Sequence, residues 1–440
     1  MMNLRPLPLV LALSAAFALP AQAQSLVELY DAARSFDASY QSAKSQYEAN
    51  LFKAEQAKAS LLPSANLGLG VNRTNISSDT AAFDRGGYGT QSATLSASQP
   101  LYRPANVAVA EQGKKSADIA QAQFQAADQD LIVRVSQAYF DVLASADSLT
   151  FVQAQKIAIS EQLASAKRNF EVGTATITDT REAQAQFDLV LAQEIAAEND
   201  LRIKKIALDQ LTGISNASPR PLLTSAVIAP LSPDDVNRWV AQSEENSPSL
   251  RQAQLALEIA QLETEKAKSG HKPTLDLTAG YSVTNNNGSA NQYIDYRTNV
   301  TSIGLSFNLP LFAGFAIQNR IKETLSLEDK ARNDLEATKR AVAQATRTAY
   351  FGVESGLSQV KALEAAQASS QLALDATKLG YQVGVRINID VLNSQSVLFS
   401  TKAKLAKARY DVLLGDLRLR QANGTLKAED LQSLNGMLNK

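Results

Sequence analysis

The sequence contains no cysteine. That excludes disulfides, thiolate metal sites, thiol nucleophiles and a lipid-modified N-terminal cysteine. Histidine occurs once, at His271. One histidine without cysteine cannot assemble an ordinary zinc site. A Ser-His-Asp triad would have to use His271, and no Gly-x-Ser-x-Gly elbow accompanies it. No cofactor motif and no catalytic constellation is legible, so the chain reads as a non-enzyme. His271 itself, beside Lys272-Pro273 at a strand start, reads as an interfacial residue. The net charge of −1 offers no basic surface for nucleic acid. Only 13 prolines and 20 glycines interrupt 440 residues, which permits long helices. The single tryptophan, Trp239, reads as a packing residue of a linker helix.

Beyond the first residues no apolar run is long enough for a transmembrane helix. The N-terminus itself carries a secretory pattern. Arg5 supplies the positive region, Leu9 to Leu19 the apolar core, and Ala21-Gln22-Ala23 the small-x-small cleavage site. Residues 1–23 are therefore expected to be removed. A mature chain without apolar helices can enter a membrane only as β-strands.

What is present is a duplication. Leu62-Pro63-Ser64-Ala65 matches Lys272-Pro273-Thr274-Leu275, and Gln99-Pro100-Leu101-Tyr102 matches Leu309-Pro310-Leu311-Phe312, both offset by 210. Ala138-Tyr139-Phe140 matches Ala349-Tyr350-Phe351, Phe170-Glu171-Val172-Gly173 matches Tyr381-Gln382-Val383-Gly384, and Thr212-Gly213 matches Asn423-Gly424, all offset by 211. Ordered anchors at one spacing mean two copies of one series of elements. The copies are read as 24–213 and 235–424, joined by a linker at 214–234 and followed by a tail at 425–440. Within the linker, Ser232-Pro233-Asp234-Asp235 reads as a helix start with proline in the first turn.

Each copy holds two stretches that alternate with the period of a strand. Leu67, Leu69 and Val71 alternate with glycine and asparagine; Leu275, Leu277, Ala279, Tyr281 and Val283 alternate with small polar residues. Hairpins are expected at about 64–100 and 274–310, with one apolar and one small, polar face, as in a membrane barrel. Long proline-free segments follow, at 104–170 and 314–381, and further helices at 178–212 and 389–423. Ile132, Val135, Tyr139, Val142, Ala146 and Leu149 step by three and four along the first, as do Tyr350, Val353, Leu357 and Val360 along the second. That spacing makes a coiled-coil seam. Helices are also expected before each hairpin, from Leu26 to Ser60 and from Pro248 to Ser269.

Four strands cannot close a membrane barrel, and an open edge in lipid leaves backbone groups unsatisfied. Copies of the chain must pool their strands. Two copies give eight strands and three give twelve; geometry alone leaves the choice open. A periplasmic coiled-coil adapter and a passive porin are rival readings. The first predicts a soluble product with a separate module between its helices, the second a chain made almost wholly of strands.

The duplicated Leu62-Pro63 and Lys272-Pro273 strand starts, the Gln99–Tyr102 and Leu309–Phe312 pair, and the hinge Tyr381 to Leu392 with its echo Val172-Gly173 to Asp179 resemble the TolC family of outer-membrane efflux proteins. The resemblance covers nearly all of the mature chain. It implies a mainly α protein with a small transmembrane β part: a homotrimer whose twelve-stranded barrel, four strands per chain, continues into a twelve-helix periplasmic α-barrel. It implies outer-membrane lipid around the barrel, a periplasmic adapter protein, and an inner-membrane ABC or RND transporter. It also implies a gate at the periplasmic end, in which Tyr381 and Arg386 bond Asp179 and Thr178 of a neighbouring helix pair. Gly173 and Gly384 would be hinge glycines that contact the adapter. Asp390 would face the pore axis as a ring of carboxylates, and Asn393 stands where the family prototype has a second aspartate. The missing N-terminal cysteine points within the family toward type I secretion.

Overall fold

The computed structural model describes residues 23–76, 87–223, 229–289 and 292–438. The expected cleavage signal thus lies, apart from Ala23, outside the described residues. In chain order the elements are α1 (Leu26–Phe36), α2 (Ala38–Ala59), β1 (Ser64–Thr74), β2 (Tyr88–Tyr102), α3 (Pro104–Glu171) and α4 (Ile177–Thr212). They continue with α5 (Val236–Asn246), α6 (Pro248–Lys268), β3 (Thr274–Ser289), β4 (Gln292–Asn308), α7 (Ala316–Gln382), α8 (Asn388–Ala422) and α9 (Asp430–Asn435). The second half repeats the series of the first. At 68 and 67 residues, α3 and α7 would each extend about 100 Å at 1.5 Å per residue. Among the described residues no helix is long and apolar enough to cross a membrane.

Two compact units divide the chain. The unit of residues 45–124 and 249–338 contains the sheet, a single antiparallel meander in the order β1-β2-β3-β4. The register sets its faces. One face carries Leu67, Leu69, Val71, Leu95, Leu277, Ile303, Leu305 and Phe307, all exposed; Leu69 retains 77% and Ile303 79% of its accessible surface. The other carries Gly68, Gly70, Ser92, Thr94, Gly280, Ser282 and Ser302, small residues whose hydroxyls meet across strands, Thr94 and Ser282 at 3.1 Å. A Cβ at Gly70 would stand 2.9 Å from the Ser92 hydroxyl, so that face is closely fitted. At the helical end of the sheet Arg103 donates to both carboxylate oxygens of Asp276 on β3, at 2.7 and 2.6 Å. Gly113 on α3 faces α2, where a Cβ would come within 2.5 Å of the Ala57 methyl.

The unit of residues 1–44, 125–248 and 339–440 is helical and holds the larger core. On α3, Leu131, Ile132, Val135 and Tyr139 have no accessible surface, and the Tyr139 hydroxyl donates to the Arg220 carbonyl at 2.8 Å. Burial pushes the Tyr139 phenol well above its ordinary range. Leu131, Val133, Phe140 and Leu143 are buried beside the three-four seam, so this stretch of α3 is covered on more than one side. In the second half Tyr350, Val353 and Val360 pack with Leu405, Val412 and Leu419 of α8 and with Trp239 of α5. The tryptophan is thus a packing residue, and its indole donates to the Pro233 carbonyl at 2.9 Å.

Two local expectations are corrected. The helix expected from Leu26 to Ser60 is broken at Asp37, whose backbone is extended. The Asp37 carboxylate accepts from the Tyr40 amide at 2.8 Å and from Arg134 at 2.9 and 3.0 Å, a cap and an ion pair that a continuous helix would forfeit. The linker helix starts at Val236 rather than near Pro233, because the Asp235 carboxylate caps it by accepting from the Asn237 amide.

Candidate periplasmic gate

The gate candidates lie where α3 turns into α4 and α7 turns into α8, and the two turns share one construction. Gly173 and Gly384 have φ of +79° and +80°, the left-handed conformation that ends a helix and that glycine adopts without steric cost. Backward bonds close each turn: Thr174 and Ala175 amides to the Asn169 carbonyl, and Val385 and Arg386 amides to the Gly380 carbonyl. Both glycines are exposed, and a Cβ on either would meet nothing within 4 Å. Backbone conformation, not crowding, therefore requires glycine here. Around them Val172, Val383, Val385 and Ile387 are exposed.

The turns differ in how they start the next helix. Thr176 and Asp179 make a reciprocal capping box on α4: the Thr176 hydroxyl accepts from the Asp179 amide, and the Asp179 carboxylate accepts from the Thr176 amide and hydroxyl. Ile387 occupies the equivalent place before α8 and has no side chain to cap with. The next residue, Asn388, is 1% exposed and performs a different task. Its amide donates to the Asp179 carbonyl at 3.3 Å, and its oxygen accepts from Gln162 of α3. One buried asparagine thus joins α3, α4 and α8.

The expected latch residues fall around this joint. Thr178 is exposed on the first turn of α4. Within the chain Asp179 spends its carboxylate on the capping box. Tyr381 packs on Leu374, Val391 and Leu398, and its hydroxyl accepts from Asn169 of α3 at 3.3 Å. Arg386 lies 3.6 Å from Asp390, one turn on, and its stem runs over Gly380, where a Cβ would stand 2.8 Å from the Arg386 Cγ. Asp390 is half-buried and Asn393 exposed. Behind them Leu392 packs with Ile159, Leu163, Ala166, Ala183 and Val190, holding α8 against α3 and α4. Within one chain, then, the structure brings Arg386 to Asp390 and Tyr381 to Asn169, and neither reaches Thr178 or Asp179. Sequence reasoning placed Asn388 in the hinge without a role and missed Gln162, Asn169 and Gly380. Two signals were available: a glycine inside a helix pattern, and an asparagine one residue after the place where the other copy has its capping threonine.

An uninterrupted pair of hundred-ångström helices, a four-stranded sheet with an apolar and a polar face, and two matched hinges define an outer-membrane channel of the helical type. The profile described as "Outer membrane efflux protein" matches residues 29–214 and 239–425, and the chain belongs to that family. It is 34% identical over 444 residues to the outer membrane protein TolC of Escherichia coli K12, covering 99% of this chain and 89% of that protein. It is 31% identical to the alkaline protease secretion protein AprF of Pseudomonas aeruginosa, over 93% of this chain and 86% of that one. Among solved structures, the fold is similar to that of VceC from Vibrio cholerae, with a TM-score of 0.76 at 18% identity, covering 91% and 96% of the two chains. A membrane protein from Pseudomonas aeruginosa gives 0.79 at 19% identity, covering 92% of each chain. The chain is therefore an outer-membrane exit duct of the kind that serves efflux or type I secretion.

Proposed function

We propose that three copies of this chain form one passive duct, shut at its periplasmic end by the hinge region and opened by a periplasmic adapter and an inner-membrane ABC or RND transporter. The observation that carries the reading is the sheet. Among the described residues its outer strands β1 and β4 each leave an edge unpaired, and the meander makes them antiparallel to one another. β1 of one copy can therefore pair with β4 of the next, and the closed ring satisfies the backbone groups that lipid cannot. Three copies give twelve strands, wide enough for a lumen lined by the Gly, Ser and Thr face. The conduit performs no chemistry on its cargo. Its likeness to a protease secretion protein favours protein export.

At the gate, Arg386 and Tyr381 bond Thr178 and Asp179 of the neighbouring helix pair, and Asp390 and Asn393 line the constriction. Among the described residues of one chain, two buried polar atoms there, the Thr180 hydroxyl and the Gln395 amide oxygen, have no partner, which favours giving way at this point of the bundle. The exposed valines and isoleucine beside Gly173 and Gly384 form the adapter contact. The mass of the detergent-extracted protein, by light scattering or native mass spectrometry, tests the assembly. A trimer supports the duct; a soluble monomer overturns it.

A further inference from the structure

The apolar face of the sheet ends abruptly toward Thr74 and Gln292, and two arginines stand at that boundary. The row Leu69, Ala93, Val283 and Asn299 is the last in which apolar residues dominate. Next comes Val71, Gln91, Asn285 and Arg297, and beyond it Arg73 opposite Gly89 and Asn287 opposite Asp295. From Phe307 to Arg297 the strand advances ten residues, roughly 34 Å along its length. At a tilt of about 40° that is roughly 26 Å of height, the thickness of the apolar band of an outer-membrane barrel. The strand ends at Thr74, Tyr88, Ser289 and Gln292 lie away from the helices that adjoin Ser64, Tyr102, Thr274 and Asn308, so this boundary is the outer one. Arg73 and Arg297 line one open depression of about 620 Å³ together with Gln91, Asn285, Asn287 and Asp295. Among the described residues neither guanidinium has an ion-pair or hydrogen-bond partner. Two permanent positive charges against one carboxylate, with amide donors between them, therefore face outward at the level of lipid headgroups.

We propose that this depression binds the phosphate of a membrane lipid in the outer leaflet, with Arg73 and Arg297 as the anion-holding groups and Gln91 and Asn285 as flanking donors. The proposal rests on the outer-membrane reading of the chain. A guanidinium suits the task because its planar fork meets two phosphate oxygens at once and keeps its charge at any physiological pH. The commitment to a lipid rather than a dissolved anion comes from position. The arginines share a face with Leu67, Leu69, Ile303 and Leu305, so a phosphate held there has its acyl chains laid along apolar side chains. Asp295, in the same row as Arg73, weakens the site by repulsion.

The test is lipid retention by the full-length protein in detergent, followed by native mass spectrometry. The probes are a diphosphorylated glycolipid, the same glycolipid stripped of phosphate, and inorganic phosphate as competitor. The native protein should retain the phosphorylated lipid, and the stripped lipid should be lost. Arg73→Ala with Arg297→Ala should weaken retention at least about tenfold, whereas Asp295→Asn should strengthen it. A purely structural role for these side chains would not produce opposite signs. Equal retention by the double variant overturns the proposal; displacement by millimolar phosphate overturns the lipid assignment and leaves a free-anion site. Single-channel conductance of the double variant in planar bilayers should match the native value, which separates loss of lipid from loss of the duct. Should the alanine pair fail to assemble, Arg73→Gln alone is expected to give a partial loss, and full retention there counts equally against the site.

Discussion

The side-chain amide of Asn388 donates to the backbone carbonyl of Asp179 at 3.3 Å, joining the first turn of α8 to the first turn of α4. The same side chain accepts from Gln162 of α3, so three helices meet at one buried polar group. Asn388→Ala should leave the Gln162 donor and the Asp179 carbonyl without this partner, at a cost of about 1–3 kcal/mol. The expected result is a lower melting temperature together with more frequent channel openings in planar bilayers. Destabilisation without any change in gating would confine Asn388 to packing.

Arg386→Ala and Asp179→Ala should each raise single-channel conductance, because both remove polar links at the proposed latch. Asp179 also serves the capping box, which complicates its variant. Thr176→Ala removes the cap and leaves the Asp179 carboxylate in place, so it should cost about 1 kcal/mol of stability and leave conductance alone. Equal conductance changes in Thr176→Ala and Asp179→Ala would assign the effect to helix capping.

Asp390 lies within reach of Arg386, at 3.6 Å, and the guanidinium offsets its charge. Asp390→Ala should reduce cation selectivity of the open channel, while Arg386→Ala should increase it by exposing the carboxylate to the lumen. Reversal potentials in a salt gradient read both. If selectivity is the same in both variants, the constriction lies elsewhere.

Asp276 is 7% exposed on β3 and pairs with the partly exposed Arg103 at 2.6 Å. Arg103→Ala leaves that carboxylate without its partner and should cost about 1 kcal/mol, seen in thermal melting of the detergent-extracted protein. Arg103→Met with Asp276→Leu should cost clearly less, since no charge is left unpaired. Similar losses in the two variants would mean that the Arg103 stem, not its charge, matters.

Glu263 on α6 resists protonation. Its partial burial raises its pKa, but bonds from Gln112, Lys266 and Arg320 outweigh that and hold the carboxyl at about 2, against an ordinary 4.5. A folded pKa below the unfolded one gives stability that is present above pH 4.5 and lost as pH falls toward about 2. Glu263→Gln should flatten that part of the stability profile, by on the order of 1 kcal/mol after solvent screening. A profile unchanged between pH 4.5 and 2 would show that the network does not survive in solution.

How far the sequence alone reached can be judged from particular residues. Alternation at Leu67–Val71 and Leu275–Val283 marked strands with one apolar face, because a pleated backbone sends alternate side chains to opposite sides. Missing prolines and the three-four spacing at Ile132, Val135 and Tyr139 marked the long helices, because the helical period brings such residues to one line. Gly173 and Gly384 announced the hinges, because only glycine takes a left-handed turn without strain. Each of these signals is local, and the chain repeats them twice.

What the sequence could not express is which polar groups meet. Asp37 reads as one more helical acid until Arg134, nearly a hundred residues away, is placed against it and the helix breaks. Asn388 reads as the first residue of a helix until Gln162 and the Asp179 carbonyl surround it. Arg73 and Arg297 become neighbours of one depression only through the register of four strands. Periodicity is fixed by backbone geometry within a few residues, so the sequence by itself determined the strands, the long helices and the apolar face of the sheet. Partnership depends on distances across the fold, and only the tertiary structure could decide it.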